Sequence, residues 1–187
     1  MLGNKLIRGE SVHFDAITRD DLALIGGWFS DTEILSYIRE IAVYPQSEQE
    51  TQEWYENLRD SKDAYHFLIR LNENNRAIGF TNLKNLNFKS RWAVLGIMIG
   101  EKDCWNKGYG TEAARLMVRY GFWELNLNRI ELSVAAFNER AIHSYQKLGF
   151  QQEVVKRQAL YRNGDYHDNI VMGLLRDEWE ANGGGDF

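Results

Sequence analysis

The run Val94-Leu95-Gly96-Ile97-Met98-Ile99-Gly100, a polar loop, and then Trp105-Asn106-Lys107-Gly108-Tyr109-Gly110-Thr111-Glu112-Ala113 decide how this chain reads. The first run is an apolar strand. The second sets two glycines directly before a helix start, where unpaired N–H groups and the positive end of the helix dipole favour a phosphate. Lys107 adds a mobile positive charge beside them. A second strand follows from Arg129 to Phe137, then Asn138 and a second helix that carries Tyr145 and closes on Lys147-Leu148-Gly149-Phe150. The unit reads as a pyrophosphate cradle, with the rest of the chain as scaffold and acceptor site around it.

Two other phosphate motifs fit less well. Gly108 to Ala113 matches the dinucleotide fingerprint, and Glu131 lies near the expected acidic offset. In that fold, however, the strand runs straight into the first glycine. Here the strand ends near Ile99 and residues 100–107 intervene, with too little chain afterwards for a doubly wound sheet. A P-loop is excluded because no Gly-Lys-Ser/Thr follows the glycines.

A chain of 187 residues, 44% hydrophobic and 26% charged, is long enough for one well-buried domain and short for two. A single domain over residues 1–180 with a flexible tail over 181–187 is expected. The net charge of −5 supplies no overall field towards nucleic acid. The one cysteine, Cys104, leaves no internal disulfide and no Cys-rich metal site, which suits a reducing cytosol. The N-terminus lacks the apolar run of a signal peptide, and no later run is long enough to span a bilayer. A soluble, cytoplasmic protein is expected, with no metal and with neither nucleic acid nor membrane as partner.

Residues 6–17 alternate as a first strand, and Thr18 can cap a helix from Arg19 towards Phe29. Ser47, with Glu50 at capping-box spacing, starts another helix through Arg59. Its Glu48, Glu50, Glu53 and Glu56 read as a solvated face, or else as a rim attracting a cationic acceptor. Strands over 64–71, 76–86 and 92–99 come next, with Gly79 marking a bulge. After the glycines, Ala113, Leu116, Met117, Tyr120, Trp123 and Leu127 form a core stripe at helical spacing. Ile130, Leu132 and Val134 alternate, and an Asn163-Gly164-Asp165 turn precedes a last strand at 169–174. Strands first, then strands alternating with helices, give an α+β fold with a mixed, mainly antiparallel sheet.

The ordered set Trp105 to Ala113, Asn138 to Phe150, Tyr161-Arg162-Asn163-Gly164-Asp165-Tyr166 and Val171-Met172-Gly173-Leu174 resembles the GNAT superfamily of acetyl-CoA-dependent N-acetyltransferases. Within it the chain is similar to the Rim-type branch, named for ribosomal-protein N-terminal acetylation, and the resemblance covers most of its length. It implies the single-domain acyl-CoA N-acyltransferase fold, acetyl-CoA as cosubstrate, direct acetyl transfer and an amine acceptor. The acceptor would be a protein N-terminus or a small amine, and relatives that pair imply a homodimer. Met98 and Ile99 would pair with the pantetheine arm like an added strand, and amides from Lys107 through Gly108, Tyr109 and Gly110 to Thr111 would bind the pyrophosphate. Asn138 would contact pantetheine and Tyr145 would face the thioester sulfur. Lys147 and Arg140 are candidates for the nucleotide phosphates. Asn138 and Tyr145, seven residues apart, stand two turns and about 10 Å apart on one helix face, so both can line one extended ligand. A plain N-cap and a core tyrosine are the structural alternatives. Cys104 reads as a packed thiol, not a nucleophile.

Acetyl transfer needs a neutral amine, donors for the oxyanion and a hydrogen bond or proton for the departing thiolate. An N–H on the Met98 strand suits the second and Tyr145 the third. Many relatives place a glutamate two residues before the glycine matching Gly96; here that residue is Val94. Neutralising a lysine-like amine at pH 7 costs about 4.6 kcal/mol, an α-amine only about 1.1 kcal/mol. A weakly basic acceptor is therefore expected, with Glu33, Glu131, His66 and His167 as substitute bases. A polyamine acceptor, favoured by the acidic Glu48–Glu56 helix, and a non-catalytic acyl-CoA-binding module are the alternatives.

Overall fold

The computed structural model describes residues 7–38 and 42–184. Seven strands form one sheet: β1 (Val12–Asp15), β2 (Tyr65–Leu71), β3 (Ala77–Asn87), β4 (Trp92–Ile99), β5 (Arg129–Ala135), β6 (Gln151–Arg162) and β7 (Asp165–Leu175). Their spatial order is β1-β2-β3-β4-β5-β7-β6. Every neighbouring pair is antiparallel except β4 and β5. The helices are α1 (Leu22–Ser30), α2 (Thr32–Ile38), α3 (Glu48–Asp60), α4 (Tyr109–Trp123), α5 (Glu139–Lys147) and α6 (Arg176–Trp179).

Both sheet faces are covered, because β4 is apolar on both sides. Leu95 joins the larger core with Met117, Phe122 and Ile130, under α4 and α5. Met98 joins a second core with Ile25, Phe29, Leu35 and Phe80, under α1 and α2. α3 packs beside α1 through Trp54. Its capping box forms as expected: Glu50 N donates to Ser47 Oγ at 3.2 Å and Ser47 N to Glu50 Oε2 at 2.8 Å.

The β4/β5 junction positions the site. Parallel pairing covers only Trp92–Val94 against Arg129–Glu131. Beyond Val94 the strands part, leaving a wedge-shaped opening through the sheet. Gly100 N donates to Ile78 O at 2.8 Å, and ladder alternation then turns the Met98 and Gly96 backbones towards β3 and those of Ile97 and Ile99 towards the opening.

Several expectations change. The first strand is only Val12–Asp15, because Gly9 N bonds Val12 O at 2.8 Å and turns the chain; Leu6 lies outside the described residues. Trp123 is 42% exposed, while Phe122, one residue earlier, is fully buried in its place. The bulge falls beside Gly79, where the β2–β3 register skips Ile78. β7 begins at Asp165, earlier than expected, and Glu180–Gly184 still forms a helical turn, with Gly184 against the Trp179 ring. None of the described helices is long and apolar enough to cross a membrane.

Candidate active site

A cleft of about 770 Å³ runs through the opening between β4 and β5. Its lining includes Gly96, Ile97, Met98 and Ile99 from β4, Leu132 and Ser133 from β5, and Asn138, Ala141, Ser144 and Tyr145 from α5. Gly108, Gly110 and Thr111 close one end, and Phe29, Trp54, Phe80 and Asn82 close the other. A cavity of this size falls in the usual range for small-molecule sites.

At the first end, Gly108 precedes α4 with φ +85°, a left-handed conformation that costs other residues about 1–2 kcal/mol. A Cβ there would have no heavy atom within 4 Å, so the space over the loop is open. The amides of Tyr109, Gly110 and Thr111, in the first turn of α4, have no partner within the helix. Glu112, the acid of that turn, reaches away and accepts from Ser11 N at 2.9 Å, so it does not compete for these donors. The loop fits a diphosphate. Arg140 lines the same end, its guanidinium 4.7 Å above the Trp105 ring, and Trp105 Nε1 donates to Ile99 O at 2.8 Å.

The expected coenzyme residues separate here. Gly108, Gly110, Thr111, Asn138, Ile99 and Met98 line the cleft with Tyr145. Met98, however, contributes side chain and not edge, because its backbone faces Phe80; Ile97 stands in its place at the opening. Lys107 is exposed and the Tyr109 ring packs against the larger core, and neither residue is part of the cleft lining. Lys147 is exposed and absent from the lining. Two residues beyond Tyr145, it is rotated about 200° from it and lies on the far side of α5.

Asn138 accepts from Ala141 N at 3.3 Å, capping α5 while it lines the cleft, so cap and ligand contact coexist. Tyr145 is 9% exposed, with its ring edge-on to Phe150 at 5.8 Å. Burial pushes its phenol up to about 12, above the value near 10 of a free tyrosine. Cys104 also touches the cleft, but burial raises its thiol pKa, opposite to what a nucleophile needs.

Of the four substitute bases, Glu131 lines the cleft. It stands in register with Val94 across the parallel pair, with Oε2 held by Arg129 at 3.0 Å. Glu33 pairs with Lys102 at 2.6 Å, and His167 stacks edge-on against Phe137. His66 is half-buried, and burial lowers its pKa. Glu131 is the one carboxylate in the lining among the described residues, and Lys84 and Arg140 are the cations. The α3 carboxylates stay out of it; Glu53 and Glu56 accept from Gln49 and Gln52.

Sequence reasoning missed Gln46 and Asn82. Asn82 gave a signal, being polar on a strand between Thr81 and Leu83, whereas Gln46 sits in an aperiodic segment after Pro45.

The fold and this cleft are those of an acyl-CoA-dependent acyltransferase. Residues 12–151 match the family model for the acetyltransferase (GNAT) domain, and the chain belongs to that family. It is 28% identical over 177 residues to a prophage-derived N-acetyltransferase of Bacillus subtilis, covering 94% of this chain and 96% of that one. A putative ribosomal N-acetyltransferase of Bacillus subtilis is 38% identical over 103 residues, about 55% of this chain and 56% of its own length. The crystal structure of spermidine N-acetyltransferase from Vibrio cholerae in complex with CoA and spermine superposes with a TM-score of 0.82, at 27% identity, covering 90% of this chain and 98% of that one. The protein is thus an N-acetyltransferase that uses acetyl-CoA.

Proposed function

We propose that the chain transfers the acetyl group of acetyl-CoA directly to a weakly basic primary amine, such as a protein N-terminal α-amine or a small amine. The charge of the cleft carries this reading. Its lining holds Lys84, Arg140 and an Arg129-paired Glu131, and the strand position beside Glu131 is Val94. Among the described residues, such a lining neither concentrates a polycation nor offers a free carboxylate to neutralise a strongly basic one.

The residues divide the work. Acetyl-CoA supplies the activated acyl group. Amides of the Gly108–Thr111 turn hold its diphosphate, with Arg140 alongside, and Asn138 meets the pantetheine arm. The N–H groups of Ile97 and Ile99 face the opening and stand as oxyanion donors. Tyr145 gives a hydrogen bond at the sulfur side. Full proton release from a phenol at about 12 to a thiolate near 8.5 is about 5 kcal/mol uphill, more than an unburied tyrosine would require. Donation without transfer is therefore the stronger role. Glu131 receives the amine proton, through water or directly.

A polyamine acceptor is the second reading, and the likeness to the Vibrio cholerae spermidine enzyme favours it. Profiles of kcat/KM against pH for a short peptide and for spermidine separate the two. The peptide should lead at neutral pH, and a spermidine lead there overturns the reading. A cytoplasmic homodimer completes the proposal; it would cover the exposed Val154, Val155, Tyr161 and Tyr166 along the β6–β7 hairpin.

A further inference from the structure

The acceptor end of the cleft contains two unanswered polar atoms. Gln46 Oε1 and Asn82 Oδ1 both belong to residues lining it, both are shut off from solvent, and neither has a hydrogen-bond partner among the described residues. A buried amide oxygen without a donor is costly and rare, so two in one cleft point to a donor that arrives with a ligand.

The backbone that carries each of them is held in place. Gln46 N donates to Phe29 O at 3.0 Å and Gln46 O accepts from Ser30 Oγ at 3.2 Å, which pins that segment against α1. Asn82 lies opposite Gly96 in the β3–β4 register, and a Cβ on Gly96 would come within 2.7 Å of Asn82 Oδ1. Any side chain at position 96 would force the Asn82 amide to shift. Gly96 is two residues from Val94, so the Asn82 amide adjoins the place where the strand lacks a carboxylate. The remaining wall is apolar: Phe29 meets Trp54 at 5.1 Å and Phe80 at 5.9 Å, and Trp54 meets Phe80 at 5.3 Å.

We propose that Gln46 and Asn82 receive the N–H groups of the acceptor, and that the acceptor is a monoamine whose apolar or aromatic substituent lies along Phe29, Trp54 and Phe80. This rests on the reading of the protein as an acetyltransferase of weakly basic amines. Neutral carbonyl oxygens orient an N–H while raising the amine's pKa less than a carboxylate would, so the nucleophilic form stays more accessible. Among the described residues that wall offers no carboxylate to pair with a second ammonium farther along the acceptor.

The test is steady-state kinetics with phenylalanine amide and spermidine, alongside acetyl-CoA affinity by calorimetry. Gln46→Met and Asn82→Leu should each raise KM for phenylalanine amide about 3- to 10-fold, the size of one lost neutral hydrogen bond, with acetyl-CoA affinity unchanged. Gln46→Met lies outside the sheet and decides the case even where Asn82→Leu fails to fold. An unchanged KM in Gln46→Met overturns the subsite while leaving the acceptor class intact. Wild-type protein that favours spermidine at neutral pH overturns the acceptor class itself.

Discussion

Thr111 donates its hydroxyl to Ser144 Oγ across 3.0 Å, joining the first turn of α4 to the α5 turn that carries Tyr145. Ser144 in turn donates to Arg140 O at 3.0 Å. Phosphate cradle and phenol are therefore braced by one short chain of hydroxyls, and both hydroxyl residues line the cleft. Thr111→Val keeps the shape and removes the donor. It should cost about 1 kcal/mol, lowering the melting temperature by about 2–4 °C. Thr111→Ser should restore the melting temperature, and failure of that rescue would show that the hydroxyl is not the relevant group.

Gly108→Ala separates backbone strain from ligand space. The left-handed φ of +85° costs alanine about 1 kcal/mol, while the added methyl touches no protein atom. Stability should fall by that amount alone. Acetyl-CoA affinity should fall at least about tenfold, since the methyl enters the space over the free amides. Calorimetry beside thermal melting checks this; an unchanged Kd would move the diphosphate elsewhere.

Tyr145→Phe should lower kcat about 100-fold or more while leaving acetyl-CoA affinity intact. A pH signature accompanies it. Burial raises the phenol to about 12, so the folded state holds this proton more tightly than the unfolded chain, where it titrates near 10. The associated stability is complete below pH 10 and is lost as pH rises through 12, about 3 kcal/mol in all. Urea midpoints at pH 9 and pH 11.5 should therefore fall further for wild type than for Tyr145→Phe. Parallel losses would place the phenol in solvent.

What was legible in the sequence was local. β4 runs from Trp92 to Ile99 as read, because a strand buried on both faces leaves an unbroken apolar run. Asn138 and Tyr145 come to one cleft because helical spacing alone dictates it. Lys147 reads as a candidate for the nucleotide phosphates, and the rotation of the helix takes it away from the lining. Which backbone edge of β4 opens, Met98 or Ile97, depends on the phase of its ladder with β3, and no side chain records that phase. The orphan oxygens of Gln46 and Asn82 depend on what fails to contact them in three dimensions, which a linear pattern does not contain. The GNAT assignment was readable from ordered motifs, whereas the acceptor face, assembled from α1, α3, β3 and β5, was not.

Val94→Glu tests the link between the strand base and acceptor choice. The position is half-buried, opposite Lys84 on β3 and Glu131 on β5, so a carboxylate there meets one cation and one anion. It would stand on the same sheet face as Gly96 and Asn82, beside the proposed amine position. Neutralising a strongly basic amine at pH 7 costs about 3.5 kcal/mol more than neutralising an α-amine. A well-placed base recovers part of that difference, so the ratio of kcat/KM for spermidine to that for an N-terminal peptide should rise about tenfold. Glu131→Gln should depress both substrates together, since it removes the proton acceptor that they share. If Glu131→Gln leaves the peptide rate unchanged, the proton leaves by another route, and half-buried His66, lying opposite Asn82 in the β2–β3 register, becomes the next side chain to replace.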